Sequence, residues 1–153
     1  MTQGENIAAL ALKLKELALA RRVTVGTAES CTGGLIAGAI TAVPGSSEYF
    51  LGGVVGYANA VKTKLLGVPE EILNTVGAVS GECARFMAQG AAKALGADWT
   101  VSVTGVAGPD GGSAGKPVGT VWFGLCGPRG VEAHVRRFAG GRAAVRAQTA
   151  AHA

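Results

Sequence analysis

The stretch VTVGTAESCTGGLIAGAITAVPG, residues 23–45, decides the architecture. Val23–Ala28 mixes β-branched and small residues and reads as a strand. A short break at Glu29–Thr32 follows, then Gly33–Val43, an apolar run long enough for a buried helix that Pro44-Gly45 stops. A strand that turns straight into a buried helix is the working unit of a layered α/β domain. Upstream, Ile7, Leu10, Ala11, Leu14, Leu17 and Ala18 recur at three- and four-residue spacing, the apolar stripe of a helix. Arg21 and Arg22 close that helix where cations suit its dipole.

Downstream the alternation continues. Leu51–Tyr57 predicts a second strand, and Asn59 is placed to cap a short helix reaching Leu66, with Gly67 just past its end. Pro69-Glu70-Glu71 starts another helix. Ser80 caps a longer one carrying Ala84, Met87, Ala88, Ala91 and Leu95, which Gly96 closes. Trp99–Thr104 predicts a third strand and Thr120–Leu125 a fourth. Gly127-Pro128-Arg129-Gly130 is a turn before a fifth strand at Val131–Phe138, and Arg142–His152 ends the chain as a helix. The tight turn between the last two strands requires one antiparallel member in a sheet that is otherwise largely parallel. One domain over residues 1–153 is expected.

Composition narrows the function. Of the 153 residues, 48% are apolar, enough for a real core, and 25 are glycine without a three-residue period, which excludes collagen. The net charge of +4 is local: residues 1–127 balance, and the excess comes from Arg129, Arg136, Arg137, Arg142 and Arg146 against Glu132. Without a basic run interleaved with aromatics, a dedicated nucleic-acid binder is not expected, while a small anion site near the C-terminus is. Three widely spaced cysteines, no CxxC and only His134 and His152 predict neither a disulfide framework nor a metal site. Lys13, Lys15 and Glu16 interrupt the N-terminal apolar stretch, so no signal peptide or membrane span is read and a cytoplasmic protein is expected.

Three loops stand where an open α/β sheet binds ligands, beyond the carboxyl ends of strands. Glu29-Ser30-Cys31-Thr32-Gly33-Gly34 places a hydroxyl and a thiol at the mouth of the buried helix, whose N–H groups can hold an anion or an oxyanion. Ser30 or Thr32 serving only as a helix cap fits the same residues. After the second strand, Lys62 falls one turn inside the helix that begins near Asn59. A lysine in such apolar surroundings loses proton affinity and becomes a candidate base, although an ordinary exposed lysine fits too. The loop 105–119, GVAGPDGGSAGKPVG, matches neither a phosphate loop nor GxGxxG, and is either a backbone cradle for a ligand or a structural crossover. His134 alternates with Glu132 and Arg136 and is expected to face solvent, and His152 is nearly terminal, so a histidine triad is poorly supplied. Lysine, aided by Tyr57, is the remaining base, and Cys31 is a rival nucleophile.

The strings TAESCTGG (27–34), PGSSEYF (44–50), GYANAVKTKLLGV (56–68), GAVS (77–80) and SVTGVAGPDGGSAGKPVGTVWFG (102–124) resemble the C-terminal domain of the CinA competence/damage-inducible family. Stand-alone versions of that domain are nicotinamide-nucleotide amidohydrolases, or NMN deamidases. The likeness runs over roughly residues 5–150; Ala58 stands where the family commonly has serine, and Ala153 falls short of the usual final helix. The resemblance implies a three-layer α/β/α sandwich with a mixed, mostly parallel five-stranded sheet, a homodimer, no cofactor, and hydrolysis of the carboxamide of nicotinamide mononucleotide. Carried onto this chain, it implies Ser30 as nucleophile, Lys62 as base and Tyr57 as the group that relays or orients the proton. The amides of Cys31, Thr32 and Gly33 would hold the oxyanion, and Thr104 and Gly105 would enclose the ribose or ring. Ser46, Ser47, Asn59 and Arg142 are candidates for phosphate and ribose hydroxyls. The alternative of a different class is a nucleotide-sensing module without turnover.

Overall fold

The computed structural model describes residues 3–153, with side chains from Asn6 onward. The elements run α1 (Gln3–Arg21), β1 (Val25–Glu29), α2 (Leu35–Thr41), a 3-10 turn (Ser46–Glu48), β2 (Phe50–Val55), α3 (Asn59–Leu66), α4 (Glu70–Thr75), α5 (Gly81–Leu95), β3 (Trp99–Gly105), β4 (Thr120–Gly127), β5 (Gly130–Arg137) and α6 (Arg142–His152). The sheet order is β2-β1-β3-β4-β5. β1 pairs in parallel with β2 and β3, and the two pairings of β4 are antiparallel, so β4 alone runs against the other strands. Helices α1, α2 and α6 pack on one face and α3, α4 and α5 on the other, giving the three layers.

Each face has its own core. On the α1 face, Val103, Val121 and Phe123 pack against Ile36, Ile40, Tyr49 and Val145. On the α5 face, Ala28 packs against Leu66, Val68, Cys83, Met87 and Ala91. Strand β3 is stitched to α5 by a hydroxyl ladder at every second residue. Thr100 Oγ1 donates to the Ala88 carbonyl at 2.6 Å, Ser102 Oγ to that of Ala84 at 2.6 Å, and Thr104 Oγ1 to that of Ala78, just before the helix, at 2.8 Å. The period of two puts all three on one face of the strand. Gly90 brings α5 onto the end of α3 so closely that a Cβ there would stand 1.9 Å from the Leu66 carbonyl oxygen.

Two helix starts differ from expectation. Helix α2 begins at Leu35, two residues late, because Gly33 and Gly34 adopt φ of +60° and +106° and form the turn instead. Helix α3 is capped by Ala58 in extended conformation with no side-chain bond, so Asn59 is its first residue and not its cap. Ser80 does cap α5, its Oγ accepting from the Cys83 amide at 3.1 Å.

Two of the cavities among the described residues bear on where the site lies. The larger, about 730 Å³, is an apolar groove beneath α1 floored by Val101 and Leu125 and carries none of the candidate residues. Leu10 and Leu17 of the α1 stripe line it and stay 41% and 40% exposed, while Ala11 and Ala18 are buried. The smaller lies at the carboxyl edge of the sheet. No described helix is long and apolar enough to cross a membrane.

Candidate active site

The strand register builds this edge. Glu29 pairs with Val55 on one flank and Val103 on the other, so the ends of β1, β2 and β3 lie side by side. The Ser30 amide donates to the Val103 carbonyl at 3.0 Å and the Gly56 amide to that of Glu29 at 2.9 Å. The chain leaving β1 is thereby held between the chains leaving the other two strands. A pocket of about 330 Å³ opens there, lined by Ser30, Cys31, Tyr57, Asn59, Lys62, Thr104, Gly105, Asp110 and Arg142 among others.

Glu29 organises the turn that carries Ser30. Its side chain is 1% exposed, and its carboxylate accepts four hydrogen bonds. Oε1 takes the Thr32 hydroxyl at 2.7 Å, the Gly34 amide at 3.2 Å and the Ile36 amide at 2.9 Å; Oε2 takes the Ala37 amide at 3.0 Å. A charge that deep is tolerable because donors and the positive end of α2 surround it. This corrects the expectation that the mouth of α2 offers its amides to a ligand: Glu29 already occupies them. It also removes Thr32 and Gly33 from the pocket. The Thr32 side chain is fully buried against Glu29, and the Gly33 amide donates to the Ser30 carbonyl at 3.1 Å. Neither Ser30 nor Thr32 caps the helix.

Lys62 comes from the first turn of α3 and is 1% exposed. Its Nζ donates to the Tyr57 carbonyl at 2.9 Å. Burial lowers its pKa from the ordinary lysine value, and the thiols of Cys83 and Cys31 oppose that shift. The ordinary exposed lysine is therefore excluded. Burial likewise pushes the Cys31 thiol up to about 11, so the rival nucleophile is held in its unreactive protonated form. Ser30 and Lys62 line the same pocket, with no hydrogen bond between them among the described residues.

Tyr57 sits at the mouth, 59% exposed, and its phenol oxygen accepts from Arg142 Nη2 at 3.1 Å. The phenol is bonded to neither Ser30 nor Lys62; the part of Tyr57 that touches the lysine is its carbonyl. Arg142 also donates from Nη1 to the Gly108 carbonyl at 2.9 Å, tying Tyr57 to the glycine loop. Thr104 lines the pocket but spends its hydroxyl on Ala78, and Gly105 contributes backbone at the end of β3. Ser46 and Ser47 are not brought here. They precede β2 in the 3-10 turn, at the opposite end of a six-residue strand roughly 20 Å long. His134 and His152 also lie elsewhere, their Nε2 atoms 3.0 Å apart beside Phe123.

Sequence reasoning missed three residues. Glu29 was read as part of a break, although an acid shortly before a helix is a known signal. Asp110 is the one acid lining the pocket among the described residues. Arg146 donates from Nε to the Cys31 carbonyl at 3.1 Å and from Nη2 to that of Thr32 at 3.0 Å. Its spacing of four from Arg142 could have indicated a shared helix face.

This buried serine–lysine pocket at a sheet edge has counterparts. The model of the CinA C-terminal domain matches residues 7–153. The chain belongs to the CinA C-terminal domain family. Within it, a "Nicotinamide-nucleotide amidohydrolase PncC" of Pseudomonas putida is 53% identical over 95% of this chain and 91% of its own length. A "CinA-like protein" of Leptospira borgpetersenii is 56% identical over 74% of this chain, which spans only 27% of that longer protein. Among solved structures, a competence/damage inducible protein, CihA, from Agrobacterium tumefaciens superposes with a TM-score of 0.93 at 44% identity, over 96% of this chain and 90% of that one. The five-stranded mixed sheet is thus the fold of the CinA superfamily.

Proposed function

We propose that the chain is an amidohydrolase that converts the carboxamide of nicotinamide mononucleotide to the carboxylate, releasing ammonia, with Ser30 as nucleophile and Lys62 as base. The observation that carries this reading is the Lys62 amine. It is buried, its proton affinity is lowered, and one N–H is engaged by the Tyr57 carbonyl, which leaves a lone pair for a serine proton in the same pocket. The name of the Pseudomonas putida relative supports the reaction and the substrate.

In this reading Lys62 takes the Ser30 proton as Oγ attacks the carboxamide carbon. The carbonyl oxygen becomes an oxyanion met by the amide of Cys31, a donor worth about 3 kcal/mol of barrier. The protonated lysine gives its proton to the departing nitrogen, and ammonia leaves. Water, deprotonated by the same amine, then opens the ester and frees Ser30. Tyr57 contributes its carbonyl to the lysine and its phenol to the mouth, where Arg142 holds it. The substrate is dipolar, with a cationic ring and an anionic phosphate, and the pocket offers Asp110 and Arg142 to match.

Ammonia release from nicotinamide mononucleotide, beside free nicotinamide, tests the reading. Release from the mononucleotide by the wild type and none by Ser30→Ala is expected. Binding of the mononucleotide without ammonia would make the chain a nucleotide sensor instead.

A further inference from the structure

His134 and His152 lie away from the pocket and take no part in the proposed chemistry. His134 stands on β5, paired with Phe123 of β4, and His152 stands in the last turn of α6. Their Nε2 atoms are 3.0 Å apart and their ring centroids 5.2 Å. The two separations differ by about the radii of both rings, so the nitrogens face each other nearly head-on. Aromatic neighbours hold the rings there. Phe123 stacks on His134 at 5.1 Å and meets His152 edge-on at 4.7 Å, and Phe138 meets His152 edge-on at 6.1 Å.

Nitrogens so placed take one proton between them. A metal ion in line would need about 4 Å, two metal–imidazole bonds end to end. In the neutral pair one ring presents Nε2–H and the other a bare Nε2. A first added proton goes to the bare Nδ1 and leaves the bridge intact. A second goes to the bridging Nε2, which sets N–H against N–H and two like charges side by side.

The surroundings oppose that second charge. Burial lowers the proton affinity of His152, and His134 and Arg136 lower it further. On β5, Glu132 and Arg136 share the face of His134. From α1 and the β4–β5 turn, Lys13, Arg21 and Arg129 line the groove that His152 borders. Val121, Phe123 and Leu125, the residues of β4 paired with this face of β5, are uncharged. One acid therefore stands against four cations, and among the described residues neither imidazole bonds a carboxylate.

The bridge joins a helix end to the sheet. Helix α6 has 11 residues, short for a helix to hold itself. After Ala150, the last of its buried residues, it is the His152 ring that reaches the sheet, at Phe123 and His134.

We infer that the His134–His152 bridge is an acid-sensitive clasp, which fastens the last turn of α6 to β5 through one shared proton and opens when both rings are charged. Opening frees one wall of the apolar groove, because Ala150, Ala151 and His152 line it. Unfolded, each histidine takes its proton at about 6.5. Below that value the unfolded chain binds more protons than the clasped one, so the stability linked to the pair is full above about 6.5 and is lost as pH falls.

The test compares wild type, His134→Phe and His134→Gln. The chain has two histidines, so one variant assigns both imidazole signals in an NMR titration. Two coupled steps are expected in wild type, the second well below the ordinary histidine value. Between about pH 7 and pH 5, the unfolding constant of wild type, from urea titration, should rise about tenfold. His134→Gln should rise far less, because its amide donates to a neutral His152 and accepts from a charged one. Hydrogen-exchange protection of the last turn of α6 should be about tenfold lower in His134→Phe than in wild type at neutral pH, and equal in the two once acid has opened the clasp. If His134→Phe does not fold, His134→Gln carries the comparison. Both histidines titrating independently at the ordinary value would overturn the clasp. So would a loss of stability with acid as steep in His134→Gln as in wild type, or equal protection in His134→Phe and wild type at neutral pH.

Discussion

The turn 29–34 and the loop 105–119 are both glycine-rich and both border the pocket, yet they are built in opposite ways. In the turn, a buried carboxylate holds the Gly34 amide and those of Ile36 and Ala37 behind it, and an arginine from a distant helix holds the Cys31 and Thr32 carbonyls. The loop is pinned at its ends and at two side chains. Gly119 N–H donates to Val106 at 2.7 Å, Val106 N–H to Thr120 at 2.9 Å, Arg142 reaches Gly108, and Lys116 reaches the Val76 carbonyl. Residues 109–115 between these anchors are exposed. Backbone that presents a nucleophile must hold one geometry, because misplacement by an ångström costs rate. Backbone that covers a ligand has to open and close. The turn should therefore govern kcat and the loop KM.

The largest effect should come from the chemistry the turn carries. Ser30→Ala removes the oxygen proposed to attack, and Lys62→Arg replaces the proposed base with a guanidinium that does not release its proton at working pH. Each is expected to lower kcat by about 10³-fold or more, with fold retained by circular dichroism. Substantial turnover in Lys62→Arg would remove the lysine as base.

That Ser30 and Lys62 stand at one edge of the sheet was legible in the sequence, because each sits just past a strand whose pattern is local; the roles proposed for them came from the family resemblance. Alternation and capping signals are short-range, so the five strands and most helices could be placed before their partners were known. What was not legible depends on contacts distant in sequence. Arg146 meets Cys31 across 115 positions, and nothing in GGRAAVR says which loop it will reach. Glu29 becomes a cap only because Gly33 and Gly34 bend the chain back over it. Ser46 and Ser47 lie in a family-like string, but a string does not say which end of a strand it occupies. Resemblance to an active-site family drew them toward the pocket; the direction of β2 takes them away.

The next effect breaks the turn itself. Glu29→Gln keeps the shape but presents an amide NH₂ to groups that are all donors, and one buried N–H loses its acceptor. A loss of about 2–3 kcal/mol in unfolding free energy is expected, read by urea titration, with kcat falling as the Ser30 turn loosens. A variant as stable as wild type would mean that the four hydrogen bonds contribute little beyond solvation.

The burial of Lys62 predicts a pH dependence of the same region. Its folded-state pKa lies below the ordinary 10.5. Between the two values the unfolded chain binds more protons, so the stability linked to Lys62 is full above 10.5 and is lost as pH falls through the folded value. Lys62→Met removes this linkage. Wild type should therefore gain stability relative to Lys62→Met as pH rises toward 10.5, and the acid limb of kcat/KM should have its midpoint below 10.5. A stability difference that stays flat with pH would mean that the charged amine costs nothing in its pocket.

The smallest effects belong to the loop, where they separate binding from catalysis. Lys116→Ala releases one anchor, and Asp110→Asn removes the charge proposed to face the cationic ring. Both sites are at or near the surface, so stability should change by no more than about 0.5 kcal/mol. KM for nicotinamide mononucleotide should rise severalfold while kcat holds. The reduced mononucleotide, whose ring is neutral, separates two roles for Asp110. If the carboxylate answers the ring charge, Asp110→Asn weakens binding of the oxidised form and leaves the reduced form unaffected. Equal losses for both would assign Asp110 to the ribose hydroxyls. A fall in kcat from either loop variant would contradict the division of labour, because the loop would then be shaping the Ser30 turn through Arg142 and Tyr57.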